Sequence, residues 1–246
     1  MKKIRIIPRM DIKSPNVVKG IHLEGIRAVG DPASLSLKYY EEGADELIYI
    51  DVVASLYGRN YAAEVIEQVS NEIFIPLTVG GGIRTVDDIS SILKCGADKV
   101  AINTGFIKNP DFVNQAAEQF GSQCIVGCLE VKRQKAGNWQ AFYNSGREVS
   151  RKDAVEWSLE LVERGVGELM ITSIDQDGTC EGFDLEVTAR IASLVSVPVI
   201  ASGGAGKVEH IRSAIENGFA DAVAIAHLFH YEKSSIKNVK AKLFGT

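Results

Sequence analysis

Several stretches of this chain occur twice at a fixed distance. Gly43-Ala44-Asp45-Glu46 and Gly96-Ala97-Asp98-Lys99 return as Gly165-Val166-Gly167-Glu168 and Gly218-Phe219-Ala220-Asp221, in each case 122 residues later. Gly82 and Gly204, each in a glycine-rich cluster, keep the same offset. Ile7-Pro8-Arg9-Met10-Asp11-Ile12-Lys13 is echoed by Val126-Gly127-Cys128-Leu129-Glu130-Val131-Lys132, which puts Asp11 and Glu130 119 residues apart. Self-similarity of this kind means that one supersecondary assembly is used twice.

The repeated unit is itself an alternation. Short apolar, β-rich runs lie at Arg5–Asp11, Glu46–Val52, Ile75–Val79, Lys99–Asn103, Gln123–Glu130, Glu168–Ser173, Val197–Ser202 and Asp221–Ala226. Between them, sets such as Ile89, Ile92 and Leu93, or Val155, Leu159 and Val162, place apolar groups on one helical face. Thr85 with Asp88 reads as a capping box, and Gly96 as the stop of the same helix. Alternation alone would also fit an open doubly wound sheet. Eight strands in two equal sets within 246 residues instead predict a single closed (β/α)8 TIM barrel, made of two half-barrels and spanning residues 1–246.

Hydrophobic residues make up 46% of the chain, enough for the large core such a barrel needs. The net charge of −5 provides no long-range attraction for nucleic acid or an anionic membrane, so a bound anion must be held by local groups. No run of 18 apolar residues occurs, and Arg5, Arg9 and Asp11 interrupt the N-terminal stretch, so neither a membrane span nor a signal peptide is expected. The four cysteines read as reduced thiols of a cytoplasmic protein.

Barrel chemistry sits at the C-terminal ends of the strands. Asp11 ends the first strand and Glu130 the fifth, so two carboxyls face each other across the mouth and can divide acid and base work. Gly80-Gly81-Gly82 and Asn103-Thr104-Gly105 follow strands 3 and 4; Asp177-Gly178-Thr179 and Ser202-Gly203-Gly204 follow strands 6 and 7. Backbone N–H groups at such glycine turns can approach an anion. Two equivalent sets predict a substrate with a phosphate at each end. At the opposite face, Arg5, Glu46, Lys99 and Glu168 each start a strand, a neutral four-charge ring that reads equally well as solvation or as a gate. His22, His210 and His230 show no metal or triad spacing and read as surface or packing residues. Trp157 reads as helix packing, and the polar stretch Lys132–Arg151 around Trp139 as a hairpin over the site. No metal or organic cofactor is implied.

Together these residues resemble the cyclase subunit of imidazole glycerol phosphate synthase, over nearly the whole chain and most closely at Phe74–Arg84, Thr172–Thr179 and Val199–Gly206. The resemblance implies a lyase that takes ammonia from a glutaminase partner (HisH-type, forming a heterodimer). With it the enzyme would convert a bisphosphorylated aminoimidazole carboxamide ribotide to imidazole glycerol phosphate in histidine biosynthesis. It implies acid/base roles for Asp11 and Glu130, a mobile substrate loop carrying Lys19, and one phosphate at Gly82, Asn103 and Thr104. It implies the other phosphate at Asp177, Gly178, Gly204 and His227, an ammonia gate at Arg5, Glu46, Lys99 and Glu168, and a partner interface at Asp98 and Gln123. Three positions depart from the family pattern: Glu130 replaces an aspartate, Arg9 a cysteine and His227 a serine. By strand alternation Arg9 should point inward with Asp11. The departures keep two other readings open, an ammonia-channelling paralogue serving an amidotransferase in acetamidino-sugar biosynthesis and a scaffold that activates a glutaminase.

Overall fold

The computed structural model describes residues 4–54, 63–135 and 137–245. The first half runs β1 (Arg5–Lys13), β2 (Asn16–Ile21), β3 (Glu24–Gly30), α1 (Pro32–Glu41), β4 (Leu47–Asp51), α2 (Ala63–Ser70), β5 (Leu77–Gly80), α3 (Val86–Lys94), β6 (Lys99–Ile102), a short α4 (Thr104–Lys108) and α5 (Asp111–Phe120). A 3-10 turn at Ser122–Cys124 leads to the second half. That half runs β7 (Ile125–Arg133), β8 (Trp139–Tyr143), β9 (Glu148–Asp153), α6 (Ala154–Glu163), β10 (Glu168–Ser173), α7 (Leu185–Ala192), β11 (Val199–Ser202), α8 (Val208–Glu216), β12 (Ala222–Ile225), α9 (His227–His230) and α10 (Ile236–Phe244).

Eight of these strands pair in parallel and close on themselves: β1 on β12 and β4, then β5, β6 and β7, with β10 on both β7 and β11. The barrel expected from the repeat is the one observed. In each half the first strand overshoots the barrel into an antiparallel hairpin, β2–β3 after β1 and β8–β9 after β7. The repeat therefore extends to the elements that stand over the mouth.

Two apolar layers hold the fold. Inside the barrel, Ile7, Ile48, Val126, Met170 and Ile200 pack as one buried cluster, and a larger cluster lies between the sheet and the helices. The helices start where side chains satisfy their free N–H groups: Asp31 caps α1, Asp153 caps α6, and the Thr85–Asp88 capping box opens α3 as expected. Gly43, Gly96 and Gly165 have positive φ at the helix ends; at the fourth joint Phe219 takes that conformation one residue after Gly218.

The aspartates of those joints have a repeated structural role. Asp45 accepts from Ile6 N at 2.9 Å, Asp98 from Leu77 N at 2.8 Å, and Asp221 from Val199 N at 2.9 Å. Each carboxylate thus satisfies the backbone N–H at the start of a neighbouring barrel strand. Glu46, Ile75, Val197 and Asp221 lie just before the strands, in turns that these bonds tie down, while Gln123 falls in the 3-10 turn that precedes β7. In α6 the buried face is Ala154, Val155, Trp157, Ser158 and Leu161, one step round from the expected set, because the bulky Trp157 takes the centre.

Candidate active site

Strand β1 carries Arg9 and Asp11 inward on consecutive same-face positions. Both are buried, and the Arg9 guanidinium donates through Nε to Asp11 Oδ1 at 2.9 Å. The same guanidinium reaches two further strands of the wall. There Nη1 donates to Thr172 Oγ1 at 2.8 Å and Ser202 Oγ at 3.0 Å, at the ends of β10 and β11. Burial alone would push the Asp11 carboxyl up, but Arg9 and Lys19 outweigh it and hold Asp11 below the usual carboxylate range.

Glu130, on β7, has different neighbours. Its Oε2 accepts from Asn103 Nδ2 at 2.9 Å and from Gly146 N, in the turn of the β8–β9 hairpin, at 2.8 Å. Asn144 and Ser145 hold positive φ in that turn, which brings the Gly146 N–H down onto the carboxyl. Burial dominates here and pushes Glu130 up to about 7, against the opposing pull of Gly146 and Arg9. The two acids are therefore unequal, as division of acid and base work requires.

Around them lie two cavities. The first-half cavity, about 280 Å³, is lined by Gly81, Gly82, Asn103, Thr104, Lys108 and Glu130. The second-half cavity joins Asp11, Lys19, Asp177, Gly178, Gly204 and His227 around a space of only about 20 Å³. Arg9 lines both. At the first turn Gly81 and Gly82 have positive φ, and at the second Gly203 and Gly204 do. A Cβ on Gly204 would fall 1.9 Å from Gly182 O, so the close turn requires glycine.

The second cavity is small because Lys19 fills it. Lys19 lies on β2, is buried, and places Nζ 2.8 and 2.9 Å from the two oxygens of Asp177. His22 N donates to Asp177 O, Leu23 N to Asp177 Oδ2, and His22 Nδ1 lies 2.9 Å from Ile174 O. The expected loop is thus an ordered hairpin drawn down over its turn. His227 flanks it half-buried, its ring against Tyr231. Burial, with Lys233 and Lys19, pushes the His227 imidazole down.

At the other end of the barrel the four charges do form a ring. Arg5 pairs with Glu46 and Glu168, and Lys99 pairs with the same two carboxylates. Glu46, almost wholly buried, also accepts from Thr78 Oγ1 at 2.6 Å. Asp98 and Gln123 are exposed at this face, as are Phe74, Leu194 and Phe219 in the loops that enter the strands.

A model of the family described as histidine biosynthesis protein matches residues 5–235. The chain is also 53% identical, over 85% of its own length and 99% of the relative's, to the imidazole glycerol phosphate synthase subunit HisF of Legionella pneumophila. It belongs to the histidine biosynthesis protein family.

Within that family frame, all ten residues expected at the mouth line one of the two cavities. Asn103 Nδ2 donates to Glu130 Oε2 and to Phe142 O, so this side chain ties the first-half turn to the acid. Thr104 Oγ1 similarly accepts from Asn144 N. Thr172 and Gly146 had no role in the sequence reading, and Ser202 entered it only as the first residue of a glycine turn. Thr172 and Ser202 could have been found by asking which inward strand ends face Arg9, whereas a backbone N–H carries no residue-type signal. His230 is buried against Tyr39, with Nδ1 2.7 Å from the phenol, and burial pushes it down to about 4, a packing residue. His22 Nδ1 lies against Ile174 O of the second half, and His210 Nδ1 accepts from Gly206 N. All four cysteines are free, with only Cys128 fully buried. Among the described residues no cluster could hold a metal ion, and no helix is long and apolar enough to cross a membrane.

Proposed function

We propose that this chain is the cyclase subunit of an imidazole glycerol phosphate synthase, in which ammonia is built into a bisphosphorylated aminoimidazole carboxamide ribotide. The observation that carries the reading is the unequal carboxyl pair between two glycine turns. One acid is bonded to a guanidinium and held below the usual carboxylate range, the other is pushed up to about 7, and a glycine turn lies on each side. A two-headed phosphate ester would lie with its reacting centre over Arg9, Asp11 and Glu130. The first phosphate would meet the backbone at Gly82 and Thr104, with Lys108 on the same wall. The second would meet Gly178, Gly204 and His227 once Lys19 has moved its ammonium from Asp177 to the phosphate.

In this arrangement ionised Asp11 accepts a proton from the attacking nitrogen as the new C–N bond forms. Protonated Glu130 donates one to the nitrogen that leaves as its C–N bond breaks. General acid–base steps of this kind contribute about 10²–10⁴-fold each. The name of the Legionella relative favours this reading over amidination of a sugar. Ammonia would enter through the Arg5–Glu46–Lys99–Glu168 ring and travel along the apolar interior lined by Ile7, Val126 and Met170. A glutaminase subunit would dock on the face where Phe74, Phe219, Asp98 and Gln123 are exposed. A cytoplasmic location follows from that pathway.

The test is turnover of the bisphosphorylated ribotide with ammonium salts and no partner. Product is expected, with losses of about 10²–10⁴-fold in Asp11→Asn and Glu130→Gln. No product from the unaltered chain would remove the reading.

A further inference from the structure

The internal repeat makes the two carboxyls equivalent by position, yet their surroundings differ. Two residues before Asp11 on β1 stands Arg9; two residues before Glu130 on β7 stands Cys128. Both point into the barrel and both line the larger cavity. Only one carboxyl therefore has a cation at the preceding inward position of its own strand, and that cation is fixed. Arg9 is almost fully buried, bonded to Asp11 by Nε and to Thr172 and Ser202 by Nη1. We infer that Arg9 is the positioning residue that breaks the symmetry of the mouth, committing Asp11 to the base role and leaving Glu130 as the acid.

The other groups facing Asp11 do not account for the difference by themselves. Lys19 of β2 is held bidentately by Asp177, whose charge offsets its own. His230 of α9 is pushed down to about 4 and is neutral at pH 7. His227 shares the cavity and is also pushed down. Glu130, across the mouth, would if anything raise Asp11 once ionised. Arg9 is the cation directly bonded to the carboxylate. The guanidinium cannot give up its proton, so the assignment persists across the working pH range. Cys128, buried and pushed up to about 12, provides no charge of either sign on the Glu130 side.

The inference deepens the cyclase reading and rests on it for the words base and acid; the inequality itself does not. The experiment therefore has two arms. In the substrate-free protein with ¹³C-labelled Asp and Glu, the Asp11 carboxyl is titrated by NMR in the unaltered chain, in Arg9→Gln and in Arg9→Lys. The Asp11 midpoint is expected to rise by on the order of one pH unit or more in Arg9→Gln and to return towards the parent value in Arg9→Lys. An unmoved midpoint in a folded Arg9→Gln protein overturns the inference, whether or not the chain turns over any substrate. In the second arm, the acidic limb of the pH–rate profile with ammonium salts moves up by the same amount in Arg9→Gln and is rescued by Arg9→Lys. A uniform loss of rate with an unshifted acidic limb would show a merely structural residue and would overturn the role assignment. Should Arg9→Gln not fold, Arg9→Lys carries the test, with a smaller rise expected because a single ammonium cannot match the three-point fork.

Discussion

At the scale of single residues, Glu130 gives the most direct prediction. Its folded-state value of about 7 stands above the ordinary 4.5. A carboxyl raised in this way favours the fold fully below about pH 4.5, and that contribution is lost as the pH rises through about 7. Glu130→Gln should therefore flatten the fall in stability across that window. At about pH 8 it should leave the variant more stable than the parent by at most about 3 kcal/mol. Urea unfolding at several pH values checks this; parallel pH profiles would contradict it. Asp11 behaves oppositely, since its depressed carboxyl stabilises above its ordinary 3.8 and loses that contribution on acidification. Both acids were legible in the sequence as repeat-equivalent strand ends, and the inward turn of Arg9 followed from strand period. Their inequality was not legible. It depends on how deeply the closed barrel buries Glu130 and on Arg9 bonding Asp11 rather than Glu130, and no local pattern encodes either; the Gly146 N–H and the Asn103 amide only oppose the rise.

At the scale of elements, β2 is anchored at its base by its pairing with β1 and by the buried Val17 and Val18, while beyond them the hairpin is held by one buried ion pair and a few backbone bonds and most of β3 is exposed. Lys19→Met leaves Asp177 buried and unpaired, a cost that lifting the hairpin into water relieves at little expense to the barrel. Tryptic cleavage at Arg27 should accelerate by on the order of tenfold or more, with the global melting temperature much less affected. Unchanged cleavage would mean that the hairpin is held elsewhere. This element was read from the sequence only as a loop carrying Lys19. The buried Val17 and Val18 of β2 are adjacent and β3 lies mostly outside the core, so the element lacks the apolar alternation by which strands are recognised. The barrel strands are the reverse case, because their inward residues are apolar for most of their length. Their starts were placed early, since turn residues such as Glu46 and Asp221 follow directly on the helix stops and carry no breaker of their own.

At the scale of the whole molecule, the ring at the lower end ties β1, β6 and β10 together through a carboxylate just before β4. Glu46→Ala would leave Arg5, Lys99 and Thr78 short of their shared acceptor and should destabilise the chain by about 3–5 kcal/mol, read as a lower urea midpoint. A change under about 1 kcal/mol would mean that water replaces the carboxylate freely. The ring itself was readable from four strand-start charges, because parallel strands in register bring their first residues to one plane. The filled cavity at Asp177 has a consequence for selection among cellular anions. On the proposed reading, a lone inorganic phosphate would have to evict an ammonium that already has a counter-ion, and so would bind only in the fraction of time that the flap is raised. A molecule anchored first at Gly82 would present its far end at high local concentration and could win that exchange. Such a cleft would measure length, favouring ligands with two charged heads over those with a single head.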